Sequence, residues 1–265
     1  MAIIADVLTA GFGREILRCE VGSSSYGTSV SGTDDLDLMG VVIPDKVNIL
    51  GLNEVEHRIY RTAAEREGRN DARSGHGDVD MTWYSLKKFV ALARKGNPSI
   101  LMMFFAPVVH VDELGVMLRE SSHLFASKEA GKRFLGYMNA QRARLAGERG
   151  QKGINRPELV EKYGYDTKYA YHIVRLGLQG LEFLKHGKIQ VPVQPFVRDL
   201  LLAIRNGEYT QERILQWACE LENDLAVAID QSRFPERAPE GPINQLLVDL
   251  HELAWKGLDT GPDKD

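Results

Sequence analysis

The hydrophobic pattern of the chain changes character near residue 86. Before that point, short apolar runs alternate with turn residues, which is typical of β-strands. Residues 79–84 alternate most clearly, so Met81 and Trp83 are predicted on one face and Asp80 on the other. The polar, glycine-bearing segment 62–77 is predicted to be a mobile loop. The pattern predicts strands at residues 16–21, 36–43, 58–61 and 79–84.

After residue 86 the apolar positions follow a helical period. Leu86, Phe89 and Val90 begin a stripe that stops before Gly96, where a helix is expected to end. Further helices are predicted at residues 112–119, 128–147, 167–186, 197–205, 210–232 and 242–255. The whole pattern predicts an α+β fold: a small mixed β-sheet core flanked by helices over residues 1–110, and a helical region over 111–265.

Composition narrows the class of protein without fixing it. The 265 residues are 43% hydrophobic and 26% charged, as in ordinary globular domains. A net charge of −4 argues against a bulk nucleic-acid coat protein, although it permits a local basic groove. Cys19 and Cys219 are predicted to be buried free thiols in a reducing compartment. With no signal-peptide pattern and no apolar run of membrane-spanning length, we expect a cytoplasmic protein without a membrane partner.

The candidate chemistry begins where a small-residue turn precedes two aspartates. Gly22 and Ser23 follow the first predicted strand, and a turn of small residues lets backbone N–H groups approach phosphate oxygens. Asp35 and Asp37 stand one residue apart at the start of the second strand, so they project to the same side. Their mutual repulsion is relieved by a divalent cation. This combination predicts a metal and phosphate site.

A third carboxylate is needed to complete such a site. Asp80, on a later strand, is the best candidate for an acidic triad of Asp35, Asp37 and Asp80. Asp78 is a rival, for which a loop carboxylate ahead of the strand is the favoured interpretation. The alternatives are that the aspartates mark only the solvated start of a strand, and that the Ser23 hydroxyl caps a helix or turn.

A second informative segment is a predicted helix that carries a basic stripe. Lys168, His172 and Arg175 stand at i, i+4 and i+7, so they share one helical face. Three potential cations need an anion opposite, and a triphosphate, a nucleic-acid backbone or the acidic triad would each serve. A solvated helix face is the alternative.

Residues 132–152 hold further cations with interleaved aromatic residues. They are either a nucleic-acid groove or a solvated helix balanced by neighbouring acids, and the sequence leaves both open. The cations are Lys132, Arg133, Arg142, Arg144, Arg149 and Lys152.

Three segments of the chain resemble a known family. The Gly-Ser turn followed by Asp-x-Asp is similar to the DNA polymerase beta-like nucleotidyltransferase superfamily. The wider pattern resembles the RlaP branch of that superfamily, whose members are associated with RNA ligases. The matching segments are residues 22–41, residues 80–89 with 96–99, and residues 165–176.

The resemblance implies an enzyme that transfers a nucleotide from a nucleoside triphosphate. It implies that Gly22 and Ser23 bind the triphosphate and that the acidic triad binds Mg²⁺ or Mn²⁺. The basic stripe matches the helical segment of the family, and its nucleotide-binding role is our own prediction. One departure is Met102, which stands where the family usually has a glutamate.

The acceptor of the nucleotide is open at this stage. An RNA end is the leading expectation, in a repair or end-modifying reaction, because the family's setting and the local basic residues agree. A protein or small-molecule acceptor is the alternative within enzymes. A non-catalytic nucleotide- or RNA-binding module and an antitoxin-like protein are the rivals from other classes.

Overall fold

A computed structural model describes residues 11–29, 35–52, 54–69, 72, 74–148 and 156–256. Within these residues the strands are β1 Gly13–Val21, β2 Leu36–Pro44, β3 His57–Arg61, β4 Val79–Ser85 and β5 Val108–Val111. They form one sheet in the order β3-β4-β2-β1-β5. The predicted strands are therefore confirmed, and β5 is an additional edge strand that the pattern did not indicate.

The described helices follow the predicted periodicity closely over the second half of the chain. Their bounds are α1 Gly22–Ser25, α2 Lys46–Leu50, α3 Thr62–Glu67, α4 Leu86–Arg94, α5 Pro98–Met103, α6 Glu113–Glu120, α7 Lys128–Leu145, α8 Pro157–Tyr163, α9 Thr167–His186, α10 Pro195–Arg205, α11 Gln211–Gln231 and α12 Glu240–Lys256. A short 3-10 helix occupies Ser121–Phe125. None of the described helices is both long and apolar enough to span a bilayer.

The sheet is mixed, as predicted, because one of its pairings is parallel. Strands β2 and β4 run parallel, with Asp37 opposite Asp80. Strand β1 is antiparallel to β2, with Val21 opposite Asp37. The C-terminal end of β1 and the N-terminal ends of β2 and β4 therefore lie side by side at one end of these strands.

The buried face of β4 anchors this part of the sheet. Met81 and Trp83 are 1% and 0% exposed, which confirms the alternation predicted for the strand. They pack in a cluster with Phe12, Leu38 and Val42. Because side chains alternate along a strand, burying Met81 directs Asp80 to the opposite face.

The chain divides into two compact units. The described residues of the sheet unit lie within Met1–Ala93, Met102–Leu124 and Pro239–Asp265, and those of the helical unit lie within Arg94–Leu101 and Phe125–Ala238. Helix α12 belongs to the sheet unit. Within the sheet unit, the Trp255 indole N–H donates to the carbonyl oxygen of Pro44 at 3.1 Å.

Helix α9 forms the centre of the helical unit, in contact with α7 and α11. Small residues permit the close approach. A Cβ at Gly180 would lie 2.8 Å from a Leu225 methyl and 2.9 Å from the Phe134 side chain. The apolar side of α9 is therefore committed to packing.

Two expectations from the sequence are wrong. The segment 62–77 is not a loop throughout, because Thr62–Glu67 forms helix α3. Cys219 is exposed, whereas Cys19 is buried as predicted. Burial raises the pKa of the Cys19 thiol to about 11.

Asp78 connects the residue before β4 to helix α3 and to Gly75. Arg66 of α3 donates to both of its carboxylate oxygens, at 2.5 and 3.1 Å. The Thr62 hydroxyl and the Gly75 backbone N–H also donate to it, each at 2.9 Å. The Asp78 side chain is only 5% exposed. The Arg66 hydrogen bonds, followed by the Gly75 N–H, hold the pKa of Asp78 far below its ordinary range.

We predict that Asp78→Asn destabilises the protein in a pH-dependent way. A carboxyl whose pKa is depressed on folding contributes stability above its unfolded pKa of about 4, and that contribution is lost as the pH falls toward the folded pKa. Urea unfolding should therefore show a deficit for the variant at pH 7 that shrinks below pH 4. Asp199→Asn, at an exposed site, is the control and should match the wild type. A deficit for Asp78→Asn that is the same at every pH would contradict this account.

Candidate active site

The structure brings the acidic triad together. Asp35 immediately precedes β2, Asp37 lies within β2, and Asp80 lies within β4. One carboxylate oxygen from each of the three lies within 4.8 Å of the others. All three residues are partly buried. The parallel register of β2 and β4 is the direct cause, because it sets Asp37 beside Asp80.

Gly22 makes room for one of these carboxylates. It follows the last residue of β1 and has a φ of +77°, a conformation that L-residues with a side chain rarely adopt. A Cβ at this position would lie 2.1 Å from Asp37 Oδ2. Glycine is therefore required here both by the backbone and by the space that Asp37 occupies.

The remainder of the turn leaves one hydroxyl open to a ligand. The Ser24 and Ser25 hydroxyls donate back to the carbonyl oxygens of Val21 and Gly22, at 3.3 and 2.9 Å. The Ser23 hydroxyl makes no hydrogen bond to any residue that the structure describes. Ser23 thus combines an open hydroxyl with a position beside the acidic triad.

The donor set fits a divalent cation with hard character. Carboxylate oxygens are the ligands that Mg²⁺ and Mn²⁺ prefer in proteins. Three carboxylates at this separation repel one another, and a cation between them removes that repulsion. The absence of a side chain at Gly22 allows the Asp37 carboxylate to keep its position in the acidic triad. Both the chemistry and the shape of the site therefore suit the ion implied by the sequence.

Arg61 is a site residue that sequence reasoning missed. It lies opposite Asp80 in the antiparallel pairing of β3 with β4. Its Nε donates to Asp80 Oδ2 at 3.1 Å, and its Nη2 donates to the Ser74 hydroxyl at 3.1 Å. Ser74 in turn donates to Asp80 Oδ1 at 2.6 Å. Arg61 therefore fixes the third carboxylate and offsets part of the charge of the acidic triad.

The basic stripe lies on α9, in the helical unit. An Nη2 atom of Arg175 lies 3.3 Å from His172 Nδ1. Burial, and then the positive charges of Arg175 and Lys168, hold the pKa of His172 well below its usual range. His172 is consequently neutral at pH 7. Two other cations that act on it, Arg156 and Arg205, had no signal in the spacing of the stripe, because they come from outside α9.

Two cations in the described part of the basic segment 132–152 have acidic partners. Lys132 pairs with Glu236 at 3.2 Å, and Arg142 pairs with Glu222 at 2.7 Å. These ion pairs favour the interpretation as a balanced, solvated helix. Arg149 and Lys152 lie outside the described residues.

A mixed sheet that holds three carboxylates beside a glycine–serine turn is the arrangement implied by the resemblance to DNA polymerase beta-like nucleotidyltransferases, and the family match identifies the chain as a nucleotidyltransferase of that class. The chain belongs to the RlaP family, described as the RNA repair pathway DNA polymerase beta family, whose model matches residues 13–249. Met102, the departure from the family pattern, is buried at 4% exposure and so contributes to packing.

Other comparisons add little. A search of curated proteins found no match. Among solved structures, a nucleotidyltransferase-like protein from Exiguobacterium sibiricum 255-15 is 10% identical, with 99% of this chain and 80% of that chain covered and a TM-score of 0.31. A TM-score this low supports no conclusion about this chain.

We predict that Gly22→Ala impairs metal binding more than it impairs folding. The new Cβ would displace the Asp37 carboxylate, whereas Gly68→Ala imposes a similar backbone strain at φ +68° with nothing within 4 Å of the added atom. Both variants should lose about 1 kcal/mol of stability from the unfavourable φ. Only Gly22→Ala should weaken Mn²⁺ binding, measured by electron paramagnetic resonance. Equal Mn²⁺ affinity in the two variants would contradict this role for Gly22.

We predict that Arg61→Gln tightens Mn²⁺ binding. The substitution removes a positive charge 3.1 Å from Asp80 Oδ2, at a site where both side chains are mostly buried. A partly screened ion pair of this kind contributes about 1 kcal/mol, so the dissociation constant should fall roughly five-fold. Arg69→Gln removes an exposed charge of the same unit and serves as the control. Weaker binding by Arg61→Gln would show that Arg61 acts mainly by holding Asp80 in position.

Proposed function

We propose that the protein is a metal-dependent nucleotidyltransferase that moves a nucleotide from a nucleoside triphosphate to a hydroxyl group of an RNA end. The observation that carries this proposal is the approach of the three carboxylates within 4.8 Å of one another. The Gly22–Ser23 turn beside Asp37 supports it, because it offers an open hydroxyl and the backbone of a small-residue turn to a phosphate.

Each residue of the site has a distinct task in this proposal. Asp35, Asp37 and Asp80 would hold Mg²⁺ or Mn²⁺, which when bound stabilises negative charge developing on the phosphates. The Ser23 hydroxyl and the backbone of the turn bind phosphate oxygens. Asp80 also orients the acceptor hydroxyl and accepts its proton.

The reaction balances without another reactant. The acceptor oxygen forms a bond to the α-phosphorus while the bond to the bridging oxygen of the β-phosphate breaks. Pyrophosphate leaves with the electron pair of that bond. Within the proposal, the basic stripe of α9 binds phosphate, and its neutral histidine contributes a hydrogen bond instead of a charge.

RNA is the favoured acceptor because the description of the family places it in an RNA repair pathway. A protein or small-molecule acceptor would use the same site and the same chemistry. A non-catalytic or antitoxin-like module would have no use for three carboxylates held against their mutual repulsion. The reaction products distinguish these possibilities.

In the decisive experiment, the protein is incubated with Mg²⁺ or Mn²⁺, an RNA pool and each nucleoside triphosphate labelled with ³²P at the α-phosphate. The molecule that receives the label is then identified. We expect label on RNA and release of pyrophosphate, with a loss of at least about 100-fold in an Asp35→Asn/Asp37→Asn variant. Asp224→Asn, an exposed aspartate of α11, is the matched control and should retain full activity.

Two outcomes of this experiment would contradict the proposal. If the label is found on a protein or a small molecule, that molecule is the acceptor and RNA is not. If the wild type neither transfers label to any acceptor nor releases pyrophosphate, the enzymatic proposal fails.

A further inference from the structure

Two arginines from different helices meet at one aromatic ring in the helical unit. The Arg175 guanidinium of α9 lies 5.7 Å from the centre of the Tyr171 ring. The Arg205 guanidinium, at the end of α10, lies 5.6 Å from the same centre. Cation–π contacts of this kind fix the orientation of a guanidinium. The fold thus brings two like charges together around Tyr171.

The histidine beside them has a defined tautomer. A guanidinium has no acceptor atom, so the 3.3 Å contact between Arg175 Nη2 and His172 Nδ1 requires Nδ1 to accept. The proton of the neutral imidazole is then on Nε2. This Nε2–H makes no hydrogen bond to any residue in the described part of the chain. His172 therefore presents a hydrogen-bond donor to a ligand.

Two further cations complete the set. The Lys168 ammonium, one turn before His172, forms neither an ion pair nor a hydrogen bond with the residues that the structure describes. Arg156 pairs with Asp166 at 2.9 Å and stacks on Tyr169 at 5.3 Å. Asp166 also caps α9 by accepting from the Lys168 N–H at 3.0 Å, so its charge is shared with the helix terminus.

We propose that a basic cluster of Arg156, Lys168, His172, Arg175 and Arg205 is a phosphate-binding site. The cations are only partly exposed, and like charges in such a setting are stabilised by a bound anion. Guanidinium forks match the geometry of phosphate oxygens, and a neutral His172 adds a donor without adding repulsion. An apolar or cationic ligand would gain nothing from this arrangement.

The inference extends the proposed function by adding Arg156 and Arg205 and by defining how His172 binds. The identity of the molecule that carries the phosphate rests on the proposed nucleotidyltransferase function, because a nucleoside triphosphate and an RNA end both present phosphate groups. Phosphate binding itself requires neither the acidic triad nor a metal. The two proposals can therefore fail independently.

The test measures binding in EDTA by isothermal titration calorimetry. The probes are inorganic tripolyphosphate, ATP, and a short RNA with either a 5′-phosphate or a 5′-hydroxyl. Lys168→Gln and Arg205→Gln should each weaken tripolyphosphate binding about tenfold. Arg213→Gln is the matched control, since Arg213 also stacks on an aromatic ring, Trp217 at 4.8 Å, but lies outside the cluster.

Variants of His172 separate a binding role from a structural one. His172→Leu should lose tripolyphosphate affinity, and His172→Gln, which can restore a donor near the position of Nε2, should recover much of it. Thermal melts identify any variant that is merely unfolded. The Asp35→Asn/Asp37→Asn variant should bind tripolyphosphate as the wild type does, even if it transfers no nucleotide.

The outcomes assign the ligand or overturn the site. Tight binding of tripolyphosphate and ATP with no preference between the two RNAs would assign the triphosphate. A preference for the 5′-phosphorylated RNA would assign the terminal phosphate of an RNA as the ligand of the basic cluster. If tripolyphosphate binds the wild type no better than it binds Lys168→Gln and Arg205→Gln, the basic cluster is not a phosphate site.

Discussion

The parallel pairing of β2 with β4 is the constraint on which the rest of the site depends. Carboxylates repel at short range, so an unconstrained chain would keep Asp37 and Asp80 apart. Backbone hydrogen bonds along two adjacent strands hold them opposite each other instead. Burial of Met81 and Trp83 beneath the sheet stabilises that register. The stability of the apolar core therefore keeps the Asp37 and Asp80 carboxylates close together in spite of their electrostatic repulsion.

Asp78 and Asp80 show how neighbouring carboxylates come to different roles. Asp78 receives hydrogen bonds from Arg66, Thr62 and Gly75, so its oxygens are committed to holding the segment before β4. Among the described residues, Asp80 accepts hydrogen bonds from Arg61 and Ser74, and it remains within reach of the other two aspartates. The difference lies in the number of donors around each group, since both aspartates carry the same side chain.

The sequence pattern predicted those features that depend on neighbouring residues in the chain. Alternation along β4 indicated which side of the strand Asp80 occupies, and the helical period gave α9 its bounds. Arg61 could not be assigned, because its role depends on the register of β3 against β4. The exposure of Cys219 and the return of α12 to the sheet depend on which helix packs on which. The positions of Arg156 and Arg205 beside α9 are set by tertiary packing in the same way.

The close approach of Gly22 to Asp37 has a consequence for how the sequence can vary. The space that a β-carbon would need at position 22 is occupied by the carboxylate that the site uses. A side chain at position 22 fits only if the Asp37 carboxylate moves or position 37 becomes smaller, and either change disturbs the acidic triad. The effects of substitutions at the two positions are therefore not additive. Within this fold the glycine and the aspartate are retained or lost as a pair.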